Sequence, residues 1–355
     1  MQKAYILLEN GSVFPSFRFG ADGDVTGELV FSTSMTGYLE TITDPSFFGQ
    51  IVLQTFPLIG NYGVIPSDFE SKTPKLSAYV VHEWCQDPSN FRSEGDLDTF
   101  LKEKGVIGLY GVDTRALTRI IREQGVMNAR IQSESSLSEG QKQELKNYKV
   151  AGAVDAVTCD AITQTGPENA KQVVLWDFGT KENIARELAK RNLRVIRVPA
   201  STTAEEILAF SPEGLVLSNG PGDPAENTNI IAELKKIARH KLPTLGICLG
   251  HQLLALAFGA KTSRLKYGHR GANQPVRDLT TGRLYMTSQN HGYAVLTETL
   301  PKGAKESFVN ANDYTCEGVD WAEHNAFSVQ FHPEACAGPQ DTGFLFDRFL
   351  NMLED

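Results

Sequence analysis

The second half of the chain alternates short apolar runs with amphipathic stretches. Residues 172–176, 193–198, 214–218 and 244–247 read as buried strands. Residues 182–191, 204–210 and 230–239 between them read as helices. This rhythm predicts βαβ units and a mostly parallel sheet covered by helices, an α/β fold. In such sheets ligands bind outside the carboxyl ends of the strands. The first half has a different pattern. Residues 4–8, 13–14, 27–31 and 50–54 are short β-favouring runs between Gly, Asp and Pro breakers. Residues 96–104 and 114–123 read as helices; in the second, Ala116, Leu117, Ile120 and Ile121 form an apolar stripe behind an Asp113-Thr114 start. The expectation is a β-rich α+β domain.

Residues 133–149 are polar and charged, and predict a solvent-facing helix. Residues 158–171 lose apolar periodicity and carry Gly166-Pro167, the signature of a linker. The expected domains are therefore 1–168 and 171–355.

Composition sharpens this picture mainly by exclusion. A chain of 355 residues, 41% hydrophobic and 22% charged, is long enough for two cores. A net charge of −9 gives no electrostatic footprint for nucleic acid or an anionic membrane. Cys85, Cys159, Cys248, Cys316 and Cys336 are odd in number and widely spaced, without a C-x-x-C pair. Reduced thiols are expected, with no zinc ribbon and no metal in the chain. No apolar stretch approaches the roughly 18–20 residues that span a bilayer. The opening MQKAYILLENG lacks the features of a signal peptide, so a cytoplasmic protein is expected. Neither G-x-x-x-x-G-K-[ST] nor a post-strand G-x-G-x-x-G occurs, so no nucleotide site is expected.

The most informative segment is Gly246-Ile247-Cys248-Leu249-Gly250, set between an apolar strand and an apolar helix. It has the form of a nucleophile elbow with Cys in place of Ser. Glycines at both sides let strand and helix approach where the chain turns sharply. A cysteine at a helix N-terminus is favoured as thiolate, and the Leu249 N–H is left unpaired by the helix to meet a developing oxyanion.

Ser328-Val329-Gln330-Phe331-His332-Pro333-Glu334 begins as a strand. His332 and Glu334 are two apart, so an extended backbone points them to one side. His332 can take the thiol proton and return it to a leaving amine, while Glu334 holds the imidazole tautomer. A His-x-Glu alone says little. Roughly 80 residues after an elbow cysteine, it completes a triad order that such elbows use. His251 is expected to support local hydrogen bonds. His291, in Gln289-Asn290-His291-Gly292-Tyr293, is expected in a turn with backbone and substrate-contact roles. The stiff loop Ser218-Asn219-Gly220-Pro221-Gly222-Asp223-Pro224 follows a strand, and the Gly222 N–H is the candidate second oxyanion donor.

These segments resemble the class I, triad-type glutamine amidotransferases. The N-terminal half narrows the resemblance. Met35-Thr36-Gly37-Tyr38-Leu39-Glu40, Thr43-Asp44-Pro45-Ser46, Gly60-Asn61-Tyr62-Gly63 and Gly111-Val112-Asp113-Thr114-Arg115-Ala116-Leu117-Thr118 are similar to the glutaminase (small) subunits of carbamoyl-phosphate synthases. So is the run from Tyr267 to Val276. The resemblance covers essentially the whole chain. It implies a flavodoxin-like C-terminal domain, an N-terminal domain for subunit association, and hydrolysis of L-glutamine. It implies glutamine contacts at Ser46, Gly220, Gly222, Leu249, Gln252, Asn290, Gly292 and Tyr293. The last position is often Phe in the family, which leaves it an aromatic or backbone role. It further implies a large-subunit partner that holds ATP and Mg2+ and receives the ammonia through a tunnel, with no cofactor in this chain. Whether the product feeds arginine or pyrimidine biosynthesis stays open. An amidotransferase serving another synthase would not need these N-terminal motifs, and a non-catalytic regulatory subunit would not need an intact triad.

Overall fold

The computed structural model describes residues 2–335 and 338–354. Two compact units divide the chain, Met1–Ala151 and Gly152–Asp355.

The first unit contains β1 (Lys3–Leu8), β2 (Val13–Gly20), β3 (Val25–Ser32), α1 (Tyr38–Thr43), β4 (Gln50–Gln54), β5 (Leu58–Ile59), β6 (Ala78–Val80), β7 (Glu83–Trp84), α2 (Leu97–Glu103), β8 (Ile107–Tyr110), α3 (Thr114–Gln124), β9 (Met127–Gln132) and α4 (Glu139–Asn147). Seven strands close into a barrel in the order β1-β2-β8-β6-β4-β3-β9, and β5 and β7 pair separately. The strand period of two builds its wall. Leu29, Phe31, Ile51, Leu53, Ala78 and Val80 join one buried cluster with Leu117 and Ile121 of α3. The intervening Val30, Val52 and Tyr79 join another with Leu97 and Leu101 of α2. Asp113 caps α3 by accepting from Ala116 N at 2.9 Å, the start expected from sequence. The polar helix expected over 133–149 is shorter. A capping box between Ser138 and Gln141 starts it, and residues before that cap lie outside the helix.

The second unit contains β10 (Thr163–Thr165), β11 (Gln172–Asp177), α5 (Glu182–Lys190), β12 (Arg194–Pro199), α6 (Ala204–Ala209), β13 (Gly214–Leu217), α7 (Thr228–Ile237), β14 (Thr244–Ile247), α8 (Leu249–Ala257), β15 (Thr262–Asp278), β16 (Leu284–Val295), β17 (Ala304–Asn310), β18 (Cys316–Trp321), β19 (Ala326–Val329) and α9 (Phe344–Met352). One sheet runs β10-β12-β11-β13-β14-β19-β18-β17-β15-β16. Its strands β12, β11, β13, β14 and β19 are parallel neighbours. Val173 and Leu175 pack with Leu345, Phe346 and Phe349 of α9 on one face. Val174 and Trp176 pack with Ile230 and Leu234 of α7 on the other. Burial on both faces is why these strands read as unbroken apolar runs.

The segment expected to be a linker, 158–171, belongs instead to the second unit, and β10 within it pairs antiparallel with β12. The unit boundary falls before it, between Ala151 and Gly152. The strand Thr-Gln-Thr is exposed and polar, which is why the apolar pattern did not mark it. Cys85, Cys159, Cys248 and Cys316 form no disulfide among the described residues, and Cys336 lies outside them. No helix among the described residues is long and apolar enough to cross a membrane.

Candidate active site

Strand β14 ends at Ile247 and helix α8 begins at Leu249, so Cys248 alone makes the turn. Its φ of 53° and ψ of −102° are strained for a residue with a side chain. The backbone holds it there: Cys248 N donates to Val329 O of the adjacent strand at 2.9 Å. The flanking glycines are required by space. A Cβ on Gly246 would lie 2.9 Å from Gly250 O, and one on Gly250 would lie 2.4 Å from Leu217 O. The thiol is buried, with Sγ 3.7 Å from Asn290 O.

Strand β19 runs parallel beside β14, with Ile247 opposite Val329. The chain beyond Val329 therefore emerges at the same end of the sheet as Cys248. Gln330 N donates to Glu317 O at 2.8 Å and His332 N to Ser288 O at 2.9 Å, which steers the segment along its neighbours. His332 Nδ1 lies 2.6 Å from Glu334 Oε1, and both side chains are removed from solvent. His332 Nε2 is buried without a hydrogen-bond partner among the described residues. The imidazole is thus held from one side and open on the other.

Two residues that sequence reasoning did not single out complete this corner. Lys181 Nζ lies 3.9 Å from Glu334 Oε1. Asn183 Nδ2 donates to Glu334 O. Burial works against the charged form of Glu334. The charge and hydrogen bond of His332, with Lys181, outweigh it and hold the carboxyl below its ordinary value. Both residues follow β11, and no local pattern ties them to a glutamate 151 residues downstream of Asn183.

The loop after β13 is pinned by its own first residues. Ser218 Oγ accepts from Phe178 N at 2.8 Å and donates to Asn219 O at 2.8 Å. Asn219 Oδ1 accepts from Lys181 N at 3.0 Å. Gly220 sits where a Cβ would come 2.3 Å from Phe178 O and 2.7 Å from Leu249 Cδ2. Gly222 has φ +88°, a conformation glycine adopts freely. The loop is thereby packed against the start of α8, next to the cysteine.

The segment Gln289–Tyr293 is not the turn expected of it. It lies within β16, where Asn290 pairs with Arg270 and His291 with His269 of β15. Pairing with a long partner strand overrides its polar, glycine-containing composition. Gln252 Nε2 donates to Tyr293 O at 2.8 Å and to Gln330 Oε1 at 2.9 Å, tying α8 to both segments. A Cβ on Gly292 would meet Arg270 Nη2 at 3.3 Å. His251 fulfils the supporting role expected of it: Nδ1 lies 2.8 Å from Ser328 Oγ, which also accepts from Trp321 Nε1 at 3.0 Å. Burial pushes His251 down to about 3. Burial also holds His291 well below its ordinary value, with His269 adding to it. Neither is placed as His332 is. Ser46 lies in the first unit, in the short 3-10 turn Pro45–Phe47, with its N–H held by Asp44 Oδ1 at 2.8 Å.

A thiol on a strand–helix hinge, a buried His–Glu pair just beyond the adjacent strand and a glycine loop packed on the hinge thus lie at one end of the sheet. Residues 174–352 match the model of the family Glutamine amidotransferase class-I, the class to which this fold belongs. Residues 6–131 match the family Carbamoyl-phosphate synthase small chain, CPSase domain. The chain is 48% identical over 354 residues to the carbamoyl phosphate synthase small chain of Streptococcus agalactiae serotype III (strain NEM316), covering 99% of this chain and 98% of that protein. It is 48% identical over 348 residues to the protein so named from Clostridium perfringens (strain 13 / Type A), covering 98% and 99%. The chain belongs to the carbamoyl phosphate synthase small-chain family.

Proposed function

We propose that this chain hydrolyses the side-chain amide of L-glutamine through a Cys248 thioester and delivers the ammonia to a large synthetase subunit. The observation that carries the reading is the His332 imidazole: Nδ1 is bound by Glu334 at 2.6 Å while Nε2 has no partner among the described residues. An imidazole so held is ready to exchange a proton at Nε2.

In this mechanism His332 Nε2 takes the Cys248 proton and the thiolate attacks the amide carbon. The oxyanion forms against the N–H groups of Leu249 and Gly222. His332, now a cation stabilised by Glu334, returns its proton to the leaving ammonia. Water then attacks the thioester with His332 as base, a second oxyanion forms, and glutamate leaves with Cys248 restored. Gly220, Gln252, Asn290, Gly292 and Tyr293 contact the glutamine. ATP and Mg2+ belong to the large subunit, where ammonia joins bicarbonate-derived carboxyphosphate. The reaction runs in the cytoplasm.

The test is reconstitution with the large subunit, supplied with ATP and bicarbonate. Wild type uses glutamine or ammonia; Cys248→Ser uses ammonia alone. Retained glutamine use by that variant would remove Cys248 as nucleophile. No carbamoyl phosphate from either nitrogen source would remove the synthetase partnership. The isolated chain is expected to be a slow glutaminase, and full speed without a partner would argue against control by the large subunit.

A further inference from the structure

Away from the thiol, the second unit buries a cluster of ligating side chains that the amide chemistry does not use. His269 of β15 and His291 of β16 are opposite one another in the ladder, with ring centroids 4.9 Å apart and planes at 87°. Glu317 of β18 reaches between them, its side chain wholly out of solvent. Glu317 Oε1 is 3.4 Å from His269 Nδ1 and 4.0 Å from His291 Nε2. One ligand atom from each of the three residues falls within 4.8 Å of the other two.

Each imidazole is fixed from its far side. His269 Nε2 lies 2.8 Å from Asp313 Oδ2, and His291 Nδ1 lies 2.8 Å from Tyr293 O. Histidines that ligate metals are oriented in this way, the outer nitrogen held by a carboxylate or backbone carbonyl. On the inner side, His269 Nδ1 and Glu317 Oε2 are buried with no hydrogen-bond partner among the described residues.

A count of protons points the same way. Tyr293 O only accepts, so His291 carries its proton on Nδ1 and presents a lone pair at Nε2. That lone pair faces Gln289 Oε1 at 3.1 Å and Glu317 Oε1 at 4.0 Å, both acceptors. Turning the Gln289 amide over does not relieve this. Its Nε2 donates to Thr287 Oγ1 at 3.1 Å, and the Thr287 hydroxyl proton is committed to Gln274 O at 2.9 Å. His291 Nε2 thus meets acceptors, and Glu317 Oε1 takes one donor, Asn310 Nδ2 at 3.3 Å, which leaves Glu317 Oε2 unpartnered among the described residues and available to a cation.

We propose that His269, His291 and Glu317 bind a divalent transition-metal ion of the zinc type, with Gln289 Oε1 as a fourth donor. Two imidazole nitrogens select such an ion over magnesium or calcium. Bond lengths of about 2.0–2.2 Å in a tetrahedral site separate ligand atoms by about 3.4 Å. The contacts from Glu317 to the two imidazoles are 3.4 Å and 4.0 Å, and all three ligand atoms lie within 4.8 Å of one another, so closure draws the side chains inward around the ion. The ion would staple β15, β16 and β18 together beside Asn290 and Gly292, and so act as a structural centre.

The test is a Co2+ titration of the full chain in a Cys248→Ser background, which removes the thiol of the elbow as a competing ligand. The chelator-treated protein should bind one equivalent, with the visible absorption of four-coordinate Co2+ and a raised melting temperature. Glu317→Gln and His269→Gln, each checked for native circular dichroism, should each weaken binding at least tenfold. Absence of saturable binding in the background protein overturns the proposal whatever the variants do. So does a near-ultraviolet thiolate-to-cobalt band, which would place the ion on another cysteine, or binding unchanged in a folded Glu317→Gln protein.

Discussion

Glu334 Oε1 meets His332 Nδ1 at 2.6 Å in a corner that solvent does not reach. The bond decides which imidazole nitrogen keeps a proton when the ring is neutral. It leaves Nε2, the nitrogen without a partner, to do the exchanging. Glu334→Gln keeps the shape and removes the charge. Glutamine turnover should fall within the roughly 10²–10⁴-fold range that positioned proton transfer supplies, and by less than in Cys248→Ser. Steady-state glutaminase assays of the two variants decide it. Equal losses would mean that Glu334 does more than orient its histidine.

Lys181 stands 3.9 Å from the same carboxylate. Lys181→Met should destabilise the fold at neutral pH by about 1–3 kcal/mol, because it leaves a buried charge less well matched. The pH dependence has a definite sign. Glu334 is held below its ordinary value of 4.5, so its favourable contribution is complete above 4.5 and fades as pH falls through the native value. The gap between wild type and Lys181→Met should therefore narrow below pH 4.5. Urea unfolding at several pH values measures it, and a gap independent of pH would exclude the pairing as its source.

His251 gives a second pH signature. Burial lowers it to about 3, from an ordinary value of 6.5. Between those values the unfolded chain binds a proton that the native chain refuses, so stability should decline as pH falls from 6.5 toward 3. His251→Gln should flatten that slope when stability is followed by urea unfolding. An unchanged slope would assign the decline to other groups.

Gly250→Ala tests the elbow itself. The new Cβ would sit 2.4 Å from Leu217 O and 2.6 Å from Leu217 Cβ. Strand β13 and helix α8 must then separate, at a cost of about 1–3 kcal/mol. Both the melting temperature and glutamine hydrolysis should drop. A variant with wild-type values for both would show that the close approach is not needed.

The parallel half of the second unit was legible in sequence because its strands are buried on both faces. Val173 to Trp176 alternate between two cores yet are all apolar, so the run is unmistakable. The elbow was legible because Gly246, Cys248 and Gly250 fall together in one short run, although the contact that requires Gly250 is with Leu217 on another strand. The barrel was not, since its closure depends on pairings such as Ile6 with Ile131, far apart in the chain. The same holds for β16, whose polar residues become a strand only against β15, and for Lys181 and Asn183, which find Glu334 only through the sheet.

The closed barrel of the first unit has a consequence for assembly. A barrel has no free rim of unpaired N–H and C=O groups, so a neighbouring protein cannot lengthen it by laying down another strand. Recognition through the barrel has to be read from side chains and connecting loops, where each substitution acts locally. The borders that backbone pairing can extend are those of the second unit's sheet, at β10 and β16, and of the small β5–β7 pair.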